Sequence, residues 1–314
     1  MILSARLAPR VLFRSSPPSP GRTGTTVEIT RARAGWRYVH FAVRQIVPGK
    51  TWVHDTGAEE CCLVLLAGLC RVSYRHPIKG RPTNTGSDAP EITTTLGPRR
   101  SVFADYPHAL YLPPRTSFRV QADVATELAD GRAPSRQRLP PQRGCRAGGP
   151  AEPRHIRPED CGFEIRGGGN ATRQIVDIMP PAFAADRLLV CEVFTPGGNW
   201  SSYPPHKHDQ DRPPAEVKLE EIYYYRFEHP DAYGFQRLYD GRTDRTVTVG
   251  HGDVVTVRSG YHPFVTAYGY NAYYLNVLAG TRRSMAASDD PRYAAFRAWP
   301  PPDPRVPMLA RPLK

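Results

Sequence analysis

Proline punctuates this chain throughout. Of its 314 residues 34 are proline, well above the usual share of about 5%. Proline has no backbone N–H and clashes inside a helix, so strands and turns are expected in place of long helices. Between the prolines lie short alternating or continuously apolar runs. WRYVHFAVRQIV, SVFADYPHALYLPP and TSFRVQADVATEL occupy the first half, and TRQIVDIM, RLLVCEVFTP, LEEIYYYRF, GDVVTVR and AYYLNVLAG the second. CCLVLLAGLCRVSYR at 61–75 reads as two strands joined by a turn at Ala67-Gly68. Short strands at near-regular spacing predict an all-β sandwich or barrel. At about 150 residues per domain the length suits two domains, and both halves repeat strand, glycine turn, strand.

The charge of +12 is unevenly spread. Residues 1–27 hold four Arg and no acid (+4), residues 131–157 seven Arg and one Glu (+6), and residues 299–314 a net +2, which together account for the whole excess. The predicted organisation is therefore a disordered or transit-like extension at 1–27, a first domain at 28–130, a Pro/Gly-rich basic linker at 131–158, a second domain at 159–298 and a tail at 299–314. A nucleic-acid protein would place its basic residues on a folded face, so no nucleic-acid partner is expected. Cys61 to Cys70 is the longest apolar run, ten residues. A spanning helix needs about 20, so no membrane association is expected. The six cysteines, at 61, 62, 70, 145, 161 and 191, contain no CxxC pair. They read as buried reduced thiols of a cytoplasmic protein.

PPHKHD at 204–209 is the strongest chemical signal. His206 and His208 stand two apart, so on a strand both imidazoles leave one face. LEEIYYYRF then supplies two carboxylates, Glu220 and Glu221, and HGDVVTVRSGYHP brings a third histidine, His262, after a Gly-Asp turn and a strand. Such a nitrogen and oxygen donor set suits a divalent transition ion and leaves positions for substrate or water. On the same strand Tyr223 and Tyr225 share the side of Glu221, whereas Tyr224 points away. RGGGN at 166–170 lacks the GK[ST] ending of a phosphate loop.

HxH, then Glu, then Gly-turn-strand-His resembles the two motifs of the cupin superfamily. More narrowly, TRQIVDIMP, LLVCEVFTPGGNWSSYPPHKHD, LEEIYYYRF, GFQRLYD, GDVVTVRSGYHP and YYLNVLAG resemble the 5-deoxyglucuronate isomerase family of inositol catabolism, nearly continuously from Arg166 to Gly280. The first half is more weakly similar. The resemblance implies a bicupin of two β-sandwich or jelly-roll barrel domains, the first metal-free. It assigns His206, His208, Glu221 and His262 as ligands of a divalent ion, with zinc expected and manganese or iron as alternatives. It implies an aldose–ketose isomerisation of 5-deoxy-glucuronate to 5-dehydro-2-deoxy-gluconate, so the expected partner is a small sugar acid. Glu221 or Glu220 would move the proton. Arg173 would hold the substrate carboxylate, with Arg166 and Lys218 as alternatives, and Tyr223 would face the sugar. Arg258 stands where the family pattern has proline. A related isomerase of 4-deoxy-5-keto-uronate type, a non-catalytic sugar-binding bicupin and an iron-dependent dioxygenase are the competing readings. The oligomeric state stays open.

Overall fold

The structure is a computed structural model that describes residues 10–77, 89–136, 152–298 and 308–309. Among them are twenty-two strands, a single four-residue α-helix, α1 (Arg31–Ala34), and three short 3-10 turns. The chain opens with β1 (Leu12–Phe13). The first barrel comprises β2 (Gly24–Ile29), β3 (His40–Ile46), β4 (Thr51–Asp55), β5 (Glu59–Arg75), β6 (Ile92–Arg99), β7 (Ala109–Leu112), β8 (Ser117–Ala122), β9 (Thr126–Pro134) and β10 (Arg154–Ile156). One layer runs β10-β7-β5-β9-β3-β2, while β4, β6 and β8 form the facing layer.

The second barrel comprises β11 (Gly162–Arg166), β12 (Arg173–Met179), β13 (Leu189–Thr195), β14 (Trp200–Ser201), β15 (His206–Lys207), β16 (Leu219–Phe227), β17 (Tyr233–Tyr239), β18 (Asp244–Gly250), β19 (Val254–Val257), β20 (Phe264–Thr266), β21 (Ala272–Gly280) and β22 (Ser288–Asp289). Its large sheet has the order β1-β19-β16-β21-β13-β12-β11, and β14-β20-β17-β18 faces it. All pairings are antiparallel.

The two large sheets pack back to back, and this explains why their strands are apolar on both faces. On β16, Tyr223, Tyr225 and Phe227 enter the second barrel, while Ile222 and Tyr224 enter a core shared by both barrels. On β5, Cys61, Leu63 and Leu65 fill the first barrel, while Cys62, Val64 and Leu66 enter that same shared core. The sheets approach closely at Gly131 of β9, where a Cβ would lie 2.9 Å from Val277 Cγ1 of β21.

Polar groups cross this interface reciprocally. Glu60 of β5 accepts from the backbone N–H groups of Asp186, Arg187 and Leu188 at 2.6–2.8 Å, in the second half. Glu220 of β16 accepts from those of Arg37, Tyr38 and Val39 at 2.7–3.0 Å, in the first. Between them Arg99, fully buried, makes a forked pair with Glu192 at 2.7 and 2.8 Å. Leu65 O accepts from Arg99, and Tyr273 OH donates to Glu192.

Four expectations are corrected. Ala67-Gly68 is no turn: β5 continues unbroken through a bulge and passes from one layer to the other. Gly68 takes φ +107°, and a Cβ there would meet Ala125 O at 2.5 Å. The extension at 1–27 is partly structured, because β1 pairs with β19, Phe13 is buried and β2 begins at Gly24. The linker at 131–158 begins inside β9 and ends in β10, which returns to pair with β7. Its residues 137–151 lie outside the described residues, as do 1–9 of the extension. In the tail at 299–314, Leu309 is buried and exchanges two 2.9 Å bonds with the Gln174 side chain. The basic excess is accordingly spent in part on ion pairs: Arg14 with Asp253, Arg132 with Asp130, Arg136 with Asp186. Cys61, Cys62, Cys70, Cys161 and Cys191 are free and buried, as expected, and burial pushes their thiols upward. Cys145 lies outside the described residues.

Two stability predictions follow from the interface. Arg99→Ala leaves the Glu192 carboxylate buried without its cation and should cost about 3–5 kcal/mol. A thermal or urea melt coincident with the parent's would refute this. Deleting residues 1–26 removes β1 and part of β2 and should lower the melting temperature clearly; a parent-like melt would show that the β1 pairing contributes nothing.

Candidate metal centre and substrate cavity

Strand alternation places Glu221 inside the second barrel. Pro204 and Pro205 lead into β15, and His206 in it and His208 just after it reach the same interior. The segment is held by a local ionic cluster. Lys207 Nζ donates to Asp209 at 2.6 Å and to Glu216 at 3.0 Å, and Asp209 in turn accepts from Gly260 N at 2.8 Å. That last bond ties the His-bearing strand to the loop carrying His262. Gly260 has φ +80°, and a Cβ there would strike Tyr239 O at 2.5 Å. Tyr261 bridges to Tyr239, and Pro263 O accepts from Arg237 N. Together these contacts aim His262 inward. Arg258 does not disturb the turn: its guanidinium reaches toward Gly35 of the first half, 2.9 Å from where a Cβ would stand.

One donor atom from each of His208, Glu221 and His262 lies within 4.8 Å of the others, and all three residues are buried. His206, expected as a fourth donor, stands beside this group without belonging to it, its ring centroid 4.9 Å from that of His262 and 6.5 Å from that of His208. Each imidazole Nδ1 faces a backbone carbonyl: Pro204 O at 3.2 Å, Leu219 O at 3.2 Å and Gly260 O at 3.0 Å for His206, His208 and His262. A carbonyl can only accept, so Nδ1 carries a proton in all three rings, and Nε2 is the atom left to take a second proton or a metal ion. His208 Nε2 stands 2.7 Å from Glu221 Oε2. Two acceptors meet at that distance only with a cation between them, a proton or a metal ion. His262 Nε2 is buried and makes no hydrogen bond, which is costly unless a ligand uses it.

The electrostatics agree with this set. Burial opposes ionisation of Glu221, but the His208 and His262 imidazoles override it and hold the carboxyl well below its usual range. Burial, then His262 and His208, keep His206 well below the usual imidazole range. His208 goes the other way: burial opposes its charged form, but the Glu221 carboxylate outweighs burial and raises it. A divalent transition ion would take the place of a proton there, and imidazole nitrogens with one carboxylate are a donor set it accepts.

A cavity of about 220 Å³ opens beside these residues. His206, Glu221, Tyr223, Tyr274, Ser202 and Arg173 are among its lining. Ser202 Oγ bonds Tyr223 OH at 2.9 Å, and Ser201 Oγ bonds Tyr274 OH at 2.6 Å. Arg173 is 5% exposed, and its one hydrogen bond among the described residues runs to Ala171 O at 3.1 Å, with no carboxylate partner. Burial pulls its guanidinium down to about 10. Gly167, at φ +69°, leaves the space that Arg173 Nη1 occupies.

The remaining expected residues divide. Arg166 lines the cavity at its exposed rim, already paired with Glu164 at 2.5 Å. Lys218 is exposed and absent from the lining. Glu220 points out of the barrel and is saturated by three N–H donors of the first half, so it is an anchor and cannot serve as the proton carrier. The strand alternation that aims Glu221 inward necessarily aims its neighbour outward. Ser202, Tyr274 and Asp177 line the cavity without having been singled out from the sequence; alternation along β12 and β21 was the available signal.

The profile of the KduI/IolB family matches residues 12–296. The chain belongs to this family. It is 40% identical over 282 residues to the 5-deoxy-glucuronate isomerase of Geobacillus thermodenitrificans, covering 89% of this chain and 93% of that one. It is 35% identical over 270 residues to the 5-deoxy-glucuronate isomerase of Bacillus subtilis, covering 85% and 90%. The crystal structure of an IolB-like protein from Salmonella typhimurium superposes with a TM-score of 0.78 at 32% identity, over 91% of this chain and 99% of that one. The oxalate decarboxylase of Lactobacillus farciminis shares the fold alone, with a TM-score of 0.60 at 11% identity over 90% and 89%. The family member described here is thus a bicupin, as its motifs implied. No helix among the described residues is long and apolar enough to cross a membrane.

The donor geometry makes a direct prediction. Purified protein should carry stoichiometric divalent metal by elemental analysis, and single Ala substitutions at His208, Glu221 or His262 should abolish it while the fold persists. Retention of full metal in the His206→Ala, His208→Ala double variant would place the ion elsewhere.

Proposed function

We propose that this protein is a divalent-metal-dependent isomerase that converts 5-deoxy-glucuronate into 5-dehydro-2-deoxy-gluconate. One observation carries the reading. A single cavity is lined by His206 and Glu221 of the donor set and, from the far end of the sheet, by a buried guanidinium without a carboxylate among the described residues. Register places Glu221 near the start of β16 and Arg173 at the start of β12, so their backbones stand at opposite ends of the sheet. A sugar acid has the matching polarity, with a carbonyl and hydroxyl at one end and a carboxylate at the other. The relatives named 5-deoxy-glucuronate isomerase support the choice of acid.

His206, His208, Glu221 and His262 would hold the ion, which when bound polarises the carbonyl and the adjacent hydroxyl and stabilises negative charge developing there. Zinc fits the three-imidazole, one-carboxylate set; manganese is the ion described for the oxalate decarboxylase of Bacillus subtilis, which shares the fold. Arg173 receives the substrate carboxylate in a forked pair. Tyr223, Tyr274 and Ser202 present hydroxyls to the sugar. The apolar walls from Ile175 and Val193 exclude water and strengthen these contacts. The five buried free thiols suit a reducing cytoplasm, where we place the reaction.

The test is turnover of 5-deoxy-glucuronate by the metal-loaded protein, followed by proton NMR, with no redox partner and no oxygen consumed. Oxygen uptake would favour a dioxygenase, and absence of turnover would reject the assignment. Arg173→Ala removes a charge-assisted contact worth about 1.5–3 kcal/mol, so kcat/KM should fall on the order of ten- to a hundredfold at unchanged metal content. Arg173→Lys should recover only part of this, since an ammonium cannot make the paired contact. Parent-like kinetics of Arg173→Ala would remove Arg173 from substrate binding.

A further inference from the structure

An aldose–ketose isomerisation needs a group that removes a proton from carbon and returns it, and Glu220 is excluded from that part. Three carboxylates line the cavity: Glu164, Asp177 and Glu221. Glu221 faces the imidazoles of His208 and His262. Glu164 is paired with Arg166 at the rim. Asp177 makes no hydrogen bond or ion pair among the described residues, although its side chain lines the same cavity as His206 and Glu221. Cross-strand register puts it in one row with the residues beside the metal centre: Asp177 pairs with Cys191, Cys191 with Asn276, and Asn276 with Tyr223. The register shifts between Asp177 and Met179, and such bulges re-aim side chains at the rims of sites. On the other side Asp177 faces Gly162, which has no side chain to cover it; a Cβ there would stand 3.9 Å from Asp177 Oδ2. Burial, and then Glu164, raise the Asp177 carboxyl, while Arg166 opposes them. A half-buried carboxylate without a partner and with increased proton affinity is suited to taking up a proton and giving it back.

We propose that Asp177 is the proton-transfer group of this cavity. Resting on the isomerase reading, the step balances as follows. The carbon next to the aldehyde gives its proton to the Asp177 carboxylate, and the C–H electron pair becomes the carbon–carbon double bond of an enediol. The oxygen of the former aldehyde gains a proton as the neighbouring hydroxyl loses one. Asp177 then returns its proton to the former aldehyde carbon, and the product is an isomer with no net gain of atoms or electrons. The charged and titratable groups facing Asp177 are Glu164 and Arg166 from β11 and Cys191 from β13, with Arg173 on its own strand.

The test compares the metal-loaded parent with Asp177→Asn and Asp177→Glu. Asparagine keeps the shape and can still hydrogen-bond a hydroxyl but cannot take a proton. The parent must first turn over 5-deoxy-glucuronate; if it does not, the isomerase reading falls, and this inference with it. With an active parent, Asp177→Asn should lower kcat by about a hundredfold or more, at parent-level KM, metal content and melting temperature. In deuterated buffer the parent should carry deuterium into the new methylene of the product, at a rate that collapses in Asp177→Asn and partly returns in Asp177→Glu. The acidic limb of the parent's kcat profile, where the carboxylate becomes protonated, should vanish in Asp177→Asn. Parent-like kcat in Asp177→Asn, or a raised KM at unchanged kcat, would overturn the proposal and leave Asp177 as a hydroxyl-binding or solvent-facing group.

Discussion

Two carboxylates, Glu60 buried and Glu220 partly so, each given by one barrel to the backbone of the other, set the geometry on which the rest of this molecule depends. Glu60 and Glu220 each saturate three consecutive N–H groups across the interface. A buried donor left unmet costs about 1–3 kcal/mol, so these bonds favour one mutual placement of the two barrels. The large sheets then lie against each other with a shared apolar core. On β16 the commitment has a chemical consequence: with Glu220 turned to the interface, Glu221 must face the interior of its own barrel. The anchor and the candidate metal ligand are two sides of one strand.

The reciprocity also relates the barrels to each other. If Glu60 corresponds to Glu220, the next residue, Cys61, corresponds to Glu221. Cys61 is buried beside Leu63, Leu65 and Leu110, and burial pushes its thiol up. At the equivalent position one barrel therefore has an apolar filler and the other a charged candidate ligand. Elsewhere the first barrel keeps charge near its strand ends in a self-contained form, where Arg132 and Arg44 both donate to Asp130. In the second barrel the cation Arg173 has no such carboxylate. The same architecture thus serves as a packed support in one half and as a cavity with exposed valence in the other.

Polar groups in the second barrel fall into two kinds. Lys207, Asp209 and Glu216 are mutually satisfied, and their part is to hold the His-bearing strand against the loop of His262. Among the described residues the Arg173 guanidinium and the Asp177 carboxylate have no ion-pair partner, and His262 Nε2 makes no hydrogen bond. Unmet buried or half-buried polarity is unfavourable for folding, and it concentrates in this one cavity, where a metal ion and an acid substrate would satisfy it.

The β class, the duplication and the candidate donors His208, Glu221 and His262 were legible in the sequence because each rests on local signals. Strand alternation has period two, so Glu221, Tyr223 and Tyr225 could be placed on one face without a structure. The HxH spacing fixes two imidazoles on one side, and the later Gly-Tyr-His-Pro marks the turn that brings the third. What the sequence could not express is contact between distant segments. That Glu220 is an anchor depends on a loop 181–183 positions away. Leu12–Phe13 becomes a strand only because the edge of β19 is open to it, and Leu309 orders only against Gln174. The continuity of β5 through Gly68 depends on how two layers curl, and the unpartnered state of Asp177 depends on which neighbours fail to reach it. Local composition and periodicity determined what each strand could bury. Packing between halves decided which polar groups were satisfied, and hence which were left for chemistry.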